Sequence, residues 1–436
     1  MRNKYVKHLS WWPALGSVVL MSAVLAGCGS GGGDSSDAGS VRVINATLTH
    51  PSLDLLQNSI LAVSATKTDT VSDYANVPAG SPTLQFNDTG SSTALLTTSA
   101  TITSGQHYTL IAYESGGAVK TNVLTEDFAA PASGTGQLRI YDAAIDAGAL
   151  DVYISDPATD LATVSSPTTA FSAQTFAQSS SLLPYAPGTY RVRVTVTGNK
   201  TQVLLDMPAV VIKDQQIITI ALTPTPGGIL LDGSMLSQQD VYTPARNTTA
   251  RVRLAAAVSG GVSVAASAGS SAIDSFTLAP AVGTYAIVPA SGALNISVNG
   301  GSIGAPVSTL KAGNDYTLLV YGNGASATAS LIGDDNHLPT TTTNVKMRLI
   351  NALTGTVSGL TLDADFSPVA SNVLPAVSSA YGTIPANTSM ELDVTSALSS
   401  TPIFSRSGLN VAGSSVYTLF MVGDSSAPQG LLRRDR

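Results

Sequence analysis

Gly300-Gly301-Ser302-Ile303-Gly304 has the spacing of a nucleophilic serine held between glycines, and Asp315 and His337 follow in the chain order of an acid and a base. Acyl-transfer chemistry of that kind needs a strand before the serine and a helix after it, so that Oγ sits on a strained elbow. Here Leu294 to Val298 runs through Asn299-Gly300, a hairpin turn signal, into the strand-like Pro306 to Leu310. The elbow is missing, so no catalytic residue is assigned. Beyond the first 27 residues the histidines are His50, His107 and His337, spread along the chain and none at metal-ligand spacing. All three are expected to be solvated. Two acidic groups, Asp334-Asp335-Asn336 and Asp363 with Asp365, offer oxygens of the kind calcium takes, six to eight at a time. Neither has the loop spacing of a calcium site, so solvated turns are expected and no metal or cofactor is assigned. Asp54 and Asp151 each stand 12 residues after an arginine, Arg42 or Arg139. Cross-strand ion pairs there, if exposed, are worth about 0–1 kcal/mol.

The elements that carry these residues recur four times. Each unit opens on a short alternating strand: VRVINA from Val41, LRIYDA from Leu138, VRLAAA from Val252 and MRLINA from Met347. Arg42, Arg139, Arg253 and Arg348 stand 97, 114 and 95 residues apart, always on the parity opposite the apolar pair. Alternate side chains of a strand point to opposite faces, so these arginines are expected to face solvent and not to converge. A turn follows, YANVPAG at Tyr74, YAIVPAS at Tyr285 and YGTIPAN at Tyr381, with LPYAPG from Leu183 as the divergent copy. The unit closes on GQHYTLIAY from Gly105, GNDYTLLVY from Gly313 and GSSVYTLFMV from Gly413, with DQQIITIAL from Asp214 in the second. Both parities of these runs are apolar, which suits a central strand buried in a sandwich. A glycine followed shortly by Tyr108, Tyr316 or Tyr417 is similar to the tyrosine corner of sandwich domains.

The fold class expected is all-β: four tandem Ig-like β-sandwich modules over 41–134, 135–245, 249–340 and 344–430. The second is divergent, with an insertion around Asp156 to Ala170 rich in Ser, Thr and Pro. Polar stretches at Asp127–Gly136, Thr223–Thr249 and Gly333–Asn344 read as hinges. One short helix is expected over Ser234 to Tyr242, and the end, Leu431 to Arg436, reads as a solvated basic tail.

Ahead of the modules, Arg2, Lys4 and Lys7 precede an apolar run from Trp11 to Ala26, broken by Pro13 and ending in small residues, which reads as a signal peptide over 1–27. Cleavage there removes three of the 21 basic residues and leaves 18 against 28 acidic, a formal charge of −10. An acidic chain of this kind lacks the basic patch that nucleic acid calls for. Charged residues make up 11% of the chain against about 25% in ordinary globular proteins, while apolar residues reach 44%. That balance favours folded modules over disorder. Cys28 is the one cysteine, so disulfides are excluded and each module must hold by its own apolar core.

Leu25-Ala26-Gly27-Cys28 resembles the lipobox of bacterial lipoproteins. The resemblance implies cleavage before Cys28 and a diacylglyceryl thioether on its sulfur, with the membrane as partner through the acyl chains. Gly29 in place of an aspartate implies the outer membrane of a Gram-negative envelope. Residues 28–40 then form the lipidated cysteine and a Gly/Ser tether of the flexible-coil type. Two or three acyl chains are needed, because one alone anchors only marginally. The VRVINA-like opener, VPAG turn and YTL closing strand together resemble domain-of-unknown-function family 4397, whose sandwich modules occur in tandem in bacterial surface and secreted proteins. That resemblance implies module type and surface location and supplies no site residue. The function expected is therefore a lipid-anchored, non-enzymatic envelope protein for surface binding, adhesion or scaffolding, with an envelope protein or glycan as partner. An envelope hydrolase or carbohydrate-processing protein, or a purely structural spacer, are the alternatives.

Overall fold

The computed structural model describes residues 37–165, 169–355 and 358–436; Cys28, its leader and most of the tether lie outside the described residues. Strands dominate, and among the described residues the helical element is one short 3-10 turn, Ile145–Ala147. The alternation seen in the sequence produces the expected all-β architecture of paired four- and five-stranded sheets.

In the first module the opening strand Ala38–Ala46 lies between Ala75–Pro78, antiparallel, and the closing strand His107–Ser115, parallel. Ala118–Thr125 returns as a hairpin beside the closing strand. The facing sheet runs Ile60–Lys67, Ser52–Gln57, Thr83–Asp88, Ala94–Ser99 in spatial order. Val41, Val43, Leu55, Phe86 and Leu110 fill the space between the two layers. The same plan, opener parallel to closer, returns at Gly136–Asp142 with Ile217–Pro224, Thr249–Ser259 with Asp315–Asn323, and Asn344–Asn351 with Ser415–Val422. Each pair belongs to a sandwich with its own apolar core. Fully burying one Leu, Val or Phe contributes about 1.5–3 kcal/mol, and it is this burial that each sandwich relies on.

The doubly apolar closing strands owe their pattern to a second interface. All eight residues of Ser415–Val422 are buried, one parity inside the sandwich and the other against a neighbouring module. Ile44, Ile111 and Tyr113 of the first module meet Tyr141, Ala221 and Leu236 of the second. Ala255, Ala257 and Leu319 of the third meet Ile350, Phe420 and Val422 of the fourth. The modules thus pack as pairs through the outer faces of the sheets that hold opener and closer.

This packing corrects several expectations. The four arginines do not face water: Arg42, Arg139, Arg253 and Arg348 are 2%, 7%, 2% and 1% exposed. Parity placed them opposite the core correctly, but that face is covered by the partner module. The segment Ser234 to Tyr242 is not helical; it divides between the strands Leu231–Ser237 and Tyr242–Ala245. The stretches read as hinges carry buried, bonded residues, among them Thr225, Asp334 and Asn336, and residues 37–436 cluster as one compact unit. The C-terminal tail is a strand, Gln429–Arg434, paired with the closing strand of the fourth module.

Candidate functional site

The repeat places the same side chains together in each module. Register sets each opener arginine beside a threonine of the parallel closing strand: Arg42 by Thr109, Arg139 by Thr219, Arg253 by Thr317, Arg348 by Thr418. In every case Nε donates to the threonine Oγ1, at 2.9, 2.8, 2.9 and 3.0 Å. The turn tyrosine lies under the guanidinium, with Arg42 4.7 Å from the centroid of Tyr74, Arg253 4.7 Å from Tyr285 and Arg348 4.6 Å from Tyr381. A desolvated cation on an aromatic face is worth up to about 2 kcal/mol.

The acid that completes the cluster comes from the end of the returning hairpin strand, and it crosses between modules. Arg348 of the fourth module donates to Asp334 of the third, while Arg253 of the third donates to Asp435 of the fourth. Asp334 also accepts from Tyr285 Oη at 2.7 Å and Thr317 Oγ1 at 2.8 Å. Burial works to raise the Asp334 pKa, but Arg348 and Arg253 outweigh it and hold the carboxyl below its ordinary range. Two arginines and two aspartates, all buried, therefore interlock the third and fourth modules. Between the first and second the arrangement is one-sided. Arg42 donates to Glu126 of its own module at 3.0 and 2.7 Å, and reaches the main-chain oxygens of Asp240, 2.8 Å, and Ser237, 3.3 Å, in the second. In the second module Gln238 stands at the place of the acid, its main-chain N–H bonded to Ile217 as Glu126 is to His107. Arg139 consequently bonds Thr219 and the Thr125 carbonyl and lies over Phe128; burial lowers its pKa, with Glu126 opposing at a distance.

The residues singled out for chemistry are committed elsewhere. Ser302 is exposed on the short strand Gly301–Ile303, opposite Ser297. Asp315, 1% exposed, pairs with Arg251 and accepts from Asn336, each at 2.7 Å. Burial pushes its pKa up to about 6 against the pull of Arg251. His337 Nδ1 meets Asp146 of the second module at 2.7 Å. The structure does not assemble the three as a relay. His107 pairs with Asp127 at 3.1 Å and packs edge-on to Tyr74, and His50 pairs with Asp88 at 2.9 Å, so neither is a solvated bystander. Asp335 takes Lys346 at 2.6 Å, and Asp365 accepts from Asn387 at 2.8 Å and the Glu391 N–H at 2.9 Å, a turn clamp. Among the described residues no group of three or more His, Cys, Asp or Glu is placed to hold a metal.

Asp54 and Asp151 pair with no opener arginine. Each instead caps a bulge whose alanine sits at positive φ: Asp54 Oδ1 accepts from Ala65 N–H at 2.8 Å and Asp151 Oδ1 from Ala173 N–H at 2.9 Å. The similarity of Tyr108, Tyr316 and Tyr417 to a tyrosine corner has a physical basis, because each hydroxyl accepts the N–H five residues upstream, from Thr103, Lys311 and Ala412.

The feature that sequence reasoning missed is a cavity of about 700 Å³ lined by the first, second and fourth modules and the third-to-fourth connection. Leu48, Ile145, Pro224 and Leu338 supply apolar wall; His50, Glu114, Asp146, Asp335 and His337 supply the ionisable groups. Its residues are 46–50 and 114–118, 143–146 and 224, 335–342, and 414, so nothing short of the assembled chain brings them together. His50, Asp335 and His337, each singled out in the sequence, lie on its wall, but their sequence context pointed to other chemistry.

Comparison with known proteins adds little beyond the module type. A family model described as Domain of unknown function (DUF4397) matches residues 39–153, the first module and the first two strands of the second. No curated protein matches. Among solved structures, the Bacillus anthracis TIE protein is 9% identical, covers 89% of this chain and 68% of its own, and superposes with a TM-score of 0.14. The stretch from Gly39 to Tyr153 is thus a match to DUF4397, and residues 154–436 lie outside that match.

Proposed function

We propose that the protein is a lipid-anchored component of the bacterial cell envelope, acylated on Cys28 and displayed from the outer membrane, that recognises an envelope protein or glycan without catalysing a reaction. The observation that carries the recognition reading is the cavity at the junction of the modules. Its volume falls within the ~300–1,000 Å³ of small-ligand sites, and its wall is apolar with a few convergent polar groups. The anchor rests on the resemblance of Leu25 to Cys28 to a lipobox. The interlocked arginines favour one rival, a spacer whose only task is rigidity; it predicts that the cavity takes no ligand.

Screening the full chain against glycan and envelope-protein arrays, with Ile145→Trp as a cavity-filling variant, separates the two. Ile145 is 39% exposed, so its replacement leaves the sandwich interior alone. Recognition predicts a saturable partner whose binding drops at least tenfold in the variant. Absence of any partner to high micromolar concentration, or a partner indifferent to the variant, would leave the spacer. Hydrolysis of an arrayed glycan or peptide would end the non-enzymatic reading.

A further inference from the structure

Three residues after the opener arginine the first, second and fourth modules carry Asn45, Asp142 and Asn351, and the third carries Ala256. Both asparagines do the same work. Asn45 Nδ2 donates to the Thr66 carbonyl at 3.0 Å, and its Oδ1 accepts the Thr47 N–H at 3.0 Å. Asn351 Nδ2 donates to the Val373 carbonyl at 2.9 Å, and its Oδ1 accepts the Leu353 N–H at 3.3 Å. The amide fastens the opener to the edge strand of the facing sheet with one end and shapes the following turn with the other.

Asp142 keeps the turn half of this arrangement, with Oδ1 accepting the Ala144 N–H at 2.9 Å. Its Oδ2 is buried and has no hydrogen-bond partner among the described residues. Register identifies the acceptor it faces by homology of position. Leu53 pairs with Thr66, Leu360 with Val373 and Leu150 with Gln174, so the Gln174 carbonyl stands where the asparagines donate in the sister modules. A carboxylate offers that carbonyl only lone pairs, whereas a neutral acid offers an O–H.

We propose that Asp142 is a buried carboxylic acid whose Oδ2–H donates to the Gln174 carbonyl, so that the second module holds its edge strand Phe171–Gln174 firmly in acid and loosens it as pH rises to neutrality. The surrounding charges do not substitute for the proton. Arg139 is bonded to Thr219 and the Thr125 carbonyl, Asp151 caps Ala173 and Gly198, Asp146 holds His337, and Asp69 pairs with Arg246. Tyr141 Oη accepts from Asn122. Burial raises the Asp142 pKa to about 7, with the Ala144 N–H opposing. The sign follows from linkage: with the folded value above the unfolded one, the unfolded or opened chain releases the proton first, and the contact weakens as pH climbs from about 4 to about 7. Above that range the folded form is ionised as well and the loss is complete.

The test compares the full chain with Asp142→Asn, which restores the side chain the sister modules use. Hydrogen exchange over residues 142–148 and 171–177, corrected for the intrinsic effect of pH, reads the opening equilibrium. In the native chain it rises by up to about tenfold per pH unit between about pH 4.5 and 6.5 and levels off above about 7; in the variant it is flat. Identical slopes in the two proteins overturn the proposal. Site-resolved ¹³C titration of the aspartate carboxyls in the native chain provides the second reading, which holds even if the variant does not fold. An Asp142 carboxyl that titrates below about pH 5 overturns the proposal; one that keeps its proton to about pH 7 supports it.

Discussion

Replacing Arg348 by methionine tests the buried interlock where it is densest. The side chain is 1% exposed; it donates to Thr418 at 3.0 Å, to the Gly333 carbonyl at 3.1 Å and to Asp334, and it covers the Tyr381 ring. Methionine keeps most of the apolar volume, so the cost is chiefly electrostatic. Asp334 stays buried and loses its closest cation, retaining Tyr285, Thr317 and Arg253 at 3.8 Å. Breaking one side of a buried pair costs about 3–5 kcal/mol, and the retained partners place this case near the lower end, about 3 kcal/mol. Arg139→Met is the internal control. Its guanidinium bonds one threonine and one main-chain oxygen, so no buried carboxylate is orphaned, and about 1 kcal/mol is expected. Urea unfolding followed by circular dichroism reads both; both tryptophans, Trp11 and Trp12, precede the first module in sequence, so tryptophan emission does not report the modules. An Arg348→Met cost below about 1 kcal/mol, the value of an exposed pair, would refute the reasoning, as would equal costs at the two positions.

Other outcomes follow from the same contacts. A Cβ on Gly227 would stand 2.6 Å from the Asp315 nitrogen and 2.8 Å from the Asn314 carbonyl carbon, so Gly227→Ala should cost about 1–3 kcal/mol by urea unfolding through the contact between the second and third modules. Ser302→Ala, at an exposed strand position, should change stability by less than about 0.5 kcal/mol and abolish no activity in a hydrolase screen. Cys28→Ser should move the protein from the membrane fraction to the soluble one, with mass spectrometry of the native N-terminal peptide showing the acyl chains; an unmodified Cys28 behind an intact leader would contradict the anchor.

Much of the architecture was legible because strand parity is a local property. The openers, the turns with Tyr74, Tyr285 and Tyr381, and the doubly apolar closers could be read from alternation alone. What alternation cannot say is what covers the second face. Arg42, Arg253 and Arg348 were placed on the correct side of their strands and given the wrong surroundings, since the covering layer belongs to another module about a hundred residues away. A signal was present: in three modules an acid closes the returning strand, as Glu126, Asp334 and Asp435. Asp334 read as part of an acidic linker and Asp435 as part of a tail, because a short polar context resembles solvent exposure. The second module, where Gln238 replaces the acid and Ile218 the closing tyrosine, lacks both cues. The cavity was illegible for a related reason, as its wall comes from six separate stretches of chain.

Selective ¹⁵N-arginine labelling reads the central claim, that the opener arginines are plugs between modules. Nuclear magnetic resonance at neutral pH should show slowly exchanging, dispersed Nε–H signals for Arg42, Arg139, Arg253 and Arg348, each held by its threonine, beside a rapidly exchanging signal from exposed Arg406. Four Nε–H signals exchanging with water as fast as that of Arg406 would contradict it.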